Sequence, residues 1–380
     1  MPSLNAIRFR ASPCVELKQL ADLAAGEREA FAELERDPDF YGLFVARPPL
    51  TMNLMSVERQ TAALFRTLAT PSQLDGALLR DADGIIDLVL DGILEVEHGD
   101  GFVSGADALP IVCAAAPAPD ANDAIMRLSR DALLHAQDLE TNDPSLLMTA
   151  LYFYNRVPMS PFWRTRFASH EAILAHVGAD RGSLRGLLES EWIASDTFRG
   201  WLSWSSRTRR RHGADDVTYK LYVSPRPERI RDAFEAVVRV LAEFPGTPFK
   251  MGDSAAGLLR PDKLVAYFAT REELGEAAAV LRRELAGCEA QGVPFSAGLE
   301  ETGLLSWGVD PPDNDRALQW LGRESWRIWV AKRLAAALSI AKTARTAAAV
   351  EPWRFAIERA RRHGIDVETW TPSATLWSTS

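Results

Sequence analysis

Thr218-Tyr219-Lys220-Leu221-Tyr222-Val223-Ser224 alternates apolar and polar side chains over the length of a short strand. Successive side chains of a strand point to opposite faces. Tyr219, Leu221 and Val223 therefore form one face, and Thr218, Lys220, Tyr222 and Ser224 the other. Asp262-Lys263-Leu264-Val265-Ala266-Tyr267-Phe268 repeats the arrangement, setting Leu264, Ala266 and Phe268 against Lys263, Val265 and Tyr267. Each of these strands presents a lysine and a tyrosine on one surface. Between them, Phe249-Lys250-Met251 puts a cation inside a short apolar run, and Arg260 sits in a Gly/Pro-flanked loop before the later strand. If the strands are sheet neighbours, the cations converge into an oxyanion or phosphate site. Lysines on a half-exposed sheet face also guard against edge-to-edge pairing, and alternation alone does not separate the two readings.

Outward from this stretch, Pro227 opens a helix in which Ile230, Phe234, Val237, Val238 and Leu241 keep one apolar face. A second helix spans Glu272 to Ala286, with Leu274, Ala278, Leu281 and Leu285 on its inner side. The order β-α-β-β-α predicts an α+β layer, not a doubly wound parallel sheet, with a final strand and a long C-terminal helix after it. Trp307, Trp320, Trp326, Trp329 and Trp353 decorate that last part. They are expected mainly in core and interdomain packing, with Trp307 beside Gly308 placed to line the site and orient substrate.

From Asp216 to about Leu338, roughly a third of the chain, the motifs together resemble the HopA-type effector domain. That family is related to the bacterial phosphothreonine lyases and serves as the lyase of class V lanthipeptide synthetases. Thr218–Ser224 looks like its first catalytic strand and Phe249-Lys250-Met251-Gly252-Asp253 like its second lysine strand. Arg260–Phe268 resembles the arginine loop and tyrosine strand, Gly303–Pro312 the late glycine/proline segment, and Ser325-Trp326-Arg327-Ile328-Trp329 the arginine helix.

The resemblance implies β-elimination of phosphate from phosphoserine or phosphothreonine in a peptide. A lysine takes the Cα proton while cations hold the phosphate. Carried over residue by residue, Lys220 is the base, Lys250 and Arg260 contact the phosphate and carbonyl oxygens, and Lys263 and Arg327 add phosphate contacts. Tyr267 orients the group, and no cofactor or metal is implied. Free lysine, with a pKa near 10.4, is almost fully protonated at neutral pH, so a lysine base needs burial or neighbouring cations to shed its proton. Where the phosphothreonine lyases carry a histidine acid, this chain has Tyr222, a weaker acid than imidazolium. Two readings follow: an enzyme with altered acid chemistry, or a descendant that only binds a precursor peptide or partner enzyme. The context expected is the maturation of a ribosomally made peptide, with a separate kinase supplying phosphate, in preference to an effector that attacks host phosphoproteins.

Composition bounds these readings. The 380 residues, 47% hydrophobic and 25% charged, are those of a globular protein with a substantial core. A net charge of -9 argues against a general nucleic-acid binder. The run Arg207, Arg209, Arg210, Arg211 and His212 is a solvated loop or a docking patch for an acidic leader. Three scattered cysteines, Cys14, Cys113 and Cys288, support neither disulfides nor a metal knuckle. No apolar run reaches the length that spans a bilayer, and the N-terminus lacks a signal core; a cytoplasmic protein is expected. There is no nucleotide-type glycine loop, no His-Glu-x-x-His and no nucleophile elbow.

The expected organisation is a helical region over 1–115, where Ile93–Ser104 forms a hairpin that is either an incidental helix–hairpin contact, the favoured reading, or a winged-helix-like edge offered to a peptide. A helical docking region follows over 116–212, opened by a linker at Ala114–Asp120. It holds the aromatic and basic cluster Tyr152–Pro158 and Phe162-Trp163-Arg164, either a core corner or a peptide groove. The lyase-like domain occupies 213–346 and a C-terminal extension 347–380.

Overall fold

The computed structural model describes residues 4–48, 54–74, 81–114, 123–195, 199–208, 218–311, 324–345 and 350–373, with positions 50, 52, 117 and 119 between them. Most of the expected linker, Arg209 to His212 of the basic run, and Trp320 lie outside the described residues.

The site is carried by a seven-stranded antiparallel sheet. Its strands are β1 (Trp192–Ser195), β2 (Trp201–Ser206), β3 (Tyr219–Val223), β4 (Phe249–Gly252), β5 (Leu264–Phe268), β6 (Ala297–Gly298) and β7 (Leu305–Val309). They lie side by side in the order β6-β7-β3-β5-β4-β2-β1. The helices that matter here are α1 (Pro144–Tyr152), α2 (Pro161–Arg166), α3 (Ile230–Leu241), α4 (Ala255–Leu258), α5 (Arg271–Glu284), α6 (Trp326–Ala341) and α7 (Pro352–Arg362).

The alternation is realised as two unlike faces. Leu221, Val223, Leu264, Ala266, Phe268, Phe249 and Met251 point to one side, where they share a core with Phe234, Val237 and Leu241 of α3 and with Leu274, Ala278 and Leu281 of α5. Helix α5 starts where the Thr270 hydroxyl accepts from the Glu273 amide at 3.2 Å, and its acids at the start and arginines at the end suit the helix dipole. The predicted order is met with one addition, the turn α4 between β4 and β5. Gly252 and Gly257 permit it, because a Cβ on Gly252 would stand 2.4 Å from the Gly257 carbonyl carbon.

The expected helical N-terminal region is corrected. Among the described residues, seven strands precede residue 104. Ser72–Gln73, Arg8–Ala11, Leu94–His98 and Gly101–Val103 form a four-stranded sheet, and Val15–Lys18, Phe40–Ala46 and Met55–Glu58 a three-stranded one. Most are four residues or shorter, too few for alternation to register, and Phe40–Ala46 shifts register between Phe40 and Gly42. The hairpin at Leu94–Val103 is present, with Val96 opposite Val103, but it is also sheeted to Arg8–Ala11. Among the described residues of 121–200 helix predominates as expected, except for β1 near the end. A second core joins Phe9 and Val96 to Trp326, Leu338, Trp353 and Trp370, so Trp326 and Trp353 serve packing. No helix among the described residues is long and apolar enough to cross a membrane.

Candidate active site

The face of the sheet away from α3 and α5 collects the chemistry. Lys220 lies opposite Tyr267 on β5 and Gly308 on β7, Tyr222 opposite Val265 and Ser306, and Lys250 opposite Val265 and Ser203. Directly opposed residues share a face, so Lys220, Tyr222, Lys250 and Tyr267 sit together, with β5 between the two lysine strands. Trp201 joins them, since it pairs with Gly252 two residues beyond Lys250.

Around this face cations and aromatic rings alternate. The Tyr267 ring has Lys220 Nζ at 5.8 Å and Lys250 Nζ at 5.5 Å from its centroid. Lys250 Nζ is also 4.2 Å from the Trp201 ring, which the Arg260 guanidinium approaches to 5.1 Å. Arg260 in turn lies 5.4 Å from the Tyr152 ring, and Arg327 4.7 Å from that same ring.

Two carboxylates balance part of this charge. Asp310 forms an ion pair with Lys220. Asp262, only 5% exposed, takes the Arg260 fork on both oxygens at 2.9 and 2.8 Å and accepts from the Tyr152 hydroxyl at 3.1 Å. Arg327 Nη1 lies 2.8 Å from Asp262 Oδ2, an ion pair outside hydrogen-bond alignment. Burial alone pushes the Asp262 carboxyl up, but the charges of Arg327 and then Arg260 outweigh it and hold the pKa at about 2. Lys220, Lys250 and Arg260, with Arg327 behind them, thus outnumber the two carboxylates by two charges when Lys250 is protonated and by one when it is neutral, a net charge of the sign that attracts a phosphate monoester. Burial first, and the neighbouring Lys220 second, lower Lys250 to about 8.

The other expected site residues lie differently. Lys263 is fully buried, giving its ammonium hydrogens to Pro225 O at 2.8 Å and Gln291 Oε1 at 2.6 Å, and burial lowers its pKa to about 7. It braces the floor, because β5 begins one residue later and Lys263 lies at its buried loop end. Trp307 falls opposite Leu221 and so on the far face, packed by Arg271 at 4.3 Å. Arg327 is 1% exposed and also donates to Pro294 O and Tyr152 O; it holds Asp262 and Tyr152 in place from behind. Tyr222 packs with Val265 and Val293 at the border of Trp201 and Tyr267, and burial pushes its phenol well above 10. Burial likewise raises the Tyr267 hydroxyl.

The sequence assigns no site role to Asp262, Asp310 or Trp201, and it places Tyr152 only within an aromatic and basic cluster. Arg260-Pro261-Asp262 carries a usable signal in its opposite charges two apart, and Trp201-Leu202-Ser203-Trp204 alternates as a strand does. Nothing local marks Tyr152 as a partner of Asp262, 110 residues away. Among the described residues no group of three or more His, Cys, Asp or Glu gathers as a metal centre.

The structure is similar to two effector proteins of Pseudomonas syringae. For that of pathovar tomato strain DC3000 the TM-score is 0.40 at 12% identity, covering 67% of this chain and 98% of the other. For that of pathovar syringae strain 61 it is 0.38 at 11% identity, covering 67% and 100%. The structure of a phosphothreonine lyase, studied for its enzymatic mechanism, is also similar, with a TM-score of 0.26 and 14% identity over 54% of this chain and 98% of that one. At such scores and identities these likenesses transfer no residue role to this chain. No family model matches the sequence, and no curated protein does.

Proposed function

We propose that this chain is a lyase that eliminates phosphate from phosphoserine or phosphothreonine in a peptide. The observation that carries the proposal is the series of three cations on one face, with Arg327 behind them, alternating with three aromatic rings, and with one lysine lowered to about 8. Arg260, its fork fixed by Asp262, faces the phosphate as a preorganised donor. Two observations support moving the base role from Lys220 to Lys250. Lys220 is engaged in an ion pair with Asp310, whereas burial and the charge of Lys220 lower Lys250 to about 8.

In the proposed step, neutral Lys250 takes the Cα proton and becomes an ammonium. The electron pair left on Cα forms the Cα–Cβ double bond as the Cβ–O bond breaks. Phosphate departs with that bond's electrons, and the protonated Lys220 holds the carbonyl oxygen on which charge develops. With its second ionisation near pH 6, phosphate leaves without help from an acid, which suits a Tyr222 too weakly acidic to serve. A separate kinase supplies the substrate, and ribosomal peptide maturation is the setting that the motif resemblance suggests.

A second reading, a binder without turnover, is favoured by one feature: carboxylates already occupy Lys220 at one end of the face and Arg260 and Arg327 at the other. One experiment separates the two. Phosphothreonine and phosphoserine peptides are incubated with the protein and followed by mass spectrometry. Loss of phosphoric acid that disappears in Lys250→Ala establishes the lyase; tight phosphate-dependent binding without mass loss establishes the binder.

A further inference from the structure

Resting on the phosphate-site reading, we propose that the segment Phe153–Arg166 is a docking rim for the stretch of substrate peptide beside the phosphorylated residue, and that this stretch is acidic with a bulky apolar side chain. Most large hydrophobic side chains of the described residues are buried, yet Met159 and Phe162 are 38% and 61% exposed, three residues apart. They adjoin the site. The Val157 amide donates to Leu259 O at 3.0 Å, immediately before Arg260, and Arg156 Nη2 donates to Ala256 O at 3.3 Å. Helix α2, which carries Phe162, packs against α4, the turn that leads into Arg260. Phe153 bridges rim and site: the guanidinium of Arg260 lies 5.4 Å from its ring and that of Arg156 5.9 Å.

The rim is built rather than loose. Asn155 turns the chain with a φ of 65° and donates its side-chain amide to Gln291 O, while the Gln291 side chain donates back to Asn155 O. Ser160 caps α2 by accepting from the Trp163 amide, and Trp163 stacks on Phe167 at 5.3 Å inside the core. With Trp163 anchored inward, its neighbour Phe162 is held outward. Charge names the partner: Arg156, Arg164 and Arg166 are exposed along this one segment, which contains no Asp or Glu from 153 to 166. In a chain of net charge -9, such a segment attracts an acidic peptide and repels a basic one. An aromatic and a methionine amid arginines also match the residue types that anchor interfaces.

The test uses two probes on the full chain. One is a short unphosphorylated peptide rich in aspartate and glutamate with one leucine and one phenylalanine; the other is inorganic phosphate. Wild type should bind the peptide, and the pairs Met159→Ser/Phe162→Ser and Arg156→Gln/Arg164→Gln should each weaken it by about 10- to 100-fold while changing phosphate affinity by less than about threefold. Ile193→Ser, at another exposed hydrophobic, should leave both unchanged, and melting curves should confirm that all variants fold. Failure of wild type to bind the peptide, full binding by the rim variants, or an equal loss in Ile193→Ser overturns the rim. Failure of wild type to bind phosphate instead sinks the phosphate site, and the peptide result still decides the rim.

Discussion

Lys250 should make elimination rise with pH and level off near pH 8. An ordinary lysine with a pKa near 10.4 is neutral to about 4 parts in 10,000 at pH 7. At about 8, where burial and Lys220 place it, the neutral fraction at pH 7 is about one tenth, a gain of roughly 200-fold. The kcat/KM profile, which reports the free enzyme and substrate, should therefore climb about tenfold from pH 6 to 7 through Lys250 alone, nearly twice that where dianionic phosphate is the reactive form, and flatten above about 8 once Lys250 is neutral. The limb in kcat should lie higher, because bound phosphate favours the ammonium. Lys250→Ala should lower kcat by about 10²–10⁴-fold, and Lys250→Arg should do the same, since arginine stays protonated. Lys220→Met removes a positive neighbour, so the rising limb should move to higher pH even where some activity survives. Continuous detection of released phosphate across pH 6 to 9.5 suffices. A wild-type kcat/KM that is flat over that range, or a Lys250→Ala enzyme within tenfold of wild type, refutes the assignment.

Tyr222→Phe should change turnover less than about threefold, because a phenol raised well above 10 by burial donates no proton; a fall of about 10²-fold at unchanged KM would return it to the role of acid. Asp262→Ala should destabilise by roughly 3–5 kcal/mol in denaturant titrations, as it leaves Arg327 buried without its counter-charge. The depressed pKa of Asp262 sets a pH window too: its contribution, roughly 2 kcal/mol, is full above its unfolded pKa near 3.9 and is lost as pH falls through about 2, which acid unfolding of wild type against Asp262→Asn would read. Lys263→Met should alter the melting temperature and leave phosphate affinity within twofold, as calorimetry can show, because Lys263 donates into the floor and not into the site.

Alternation along one strand is a local property, and it sufficed to place Lys220, Tyr222 and Tyr267 on the polar side of their strands and Leu221, Leu264 and Phe268 on the core side. The apolar stripes of α3 and α5 were legible for the same reason, since a helix's buried face is written every three to four residues. Register between strands is not local. Whether Trp307 faced the site depended on its standing opposite Leu221 and not Lys220, a shift of one residue that reverses the face. The charges behaved likewise: in sequence two lysines and two arginines read alike as phosphate ligands, until packing closed over Lys263 and Arg327 and left Arg260 as the arginine with the wider opening. Residue identity determined which groups could be cationic. Only the tertiary structure decided which of them lost water, because desolvation depends on neighbours such as Trp201, Tyr152 and Asp262 that arrive from distant segments, and that loss is what brings Lys250 to about 8.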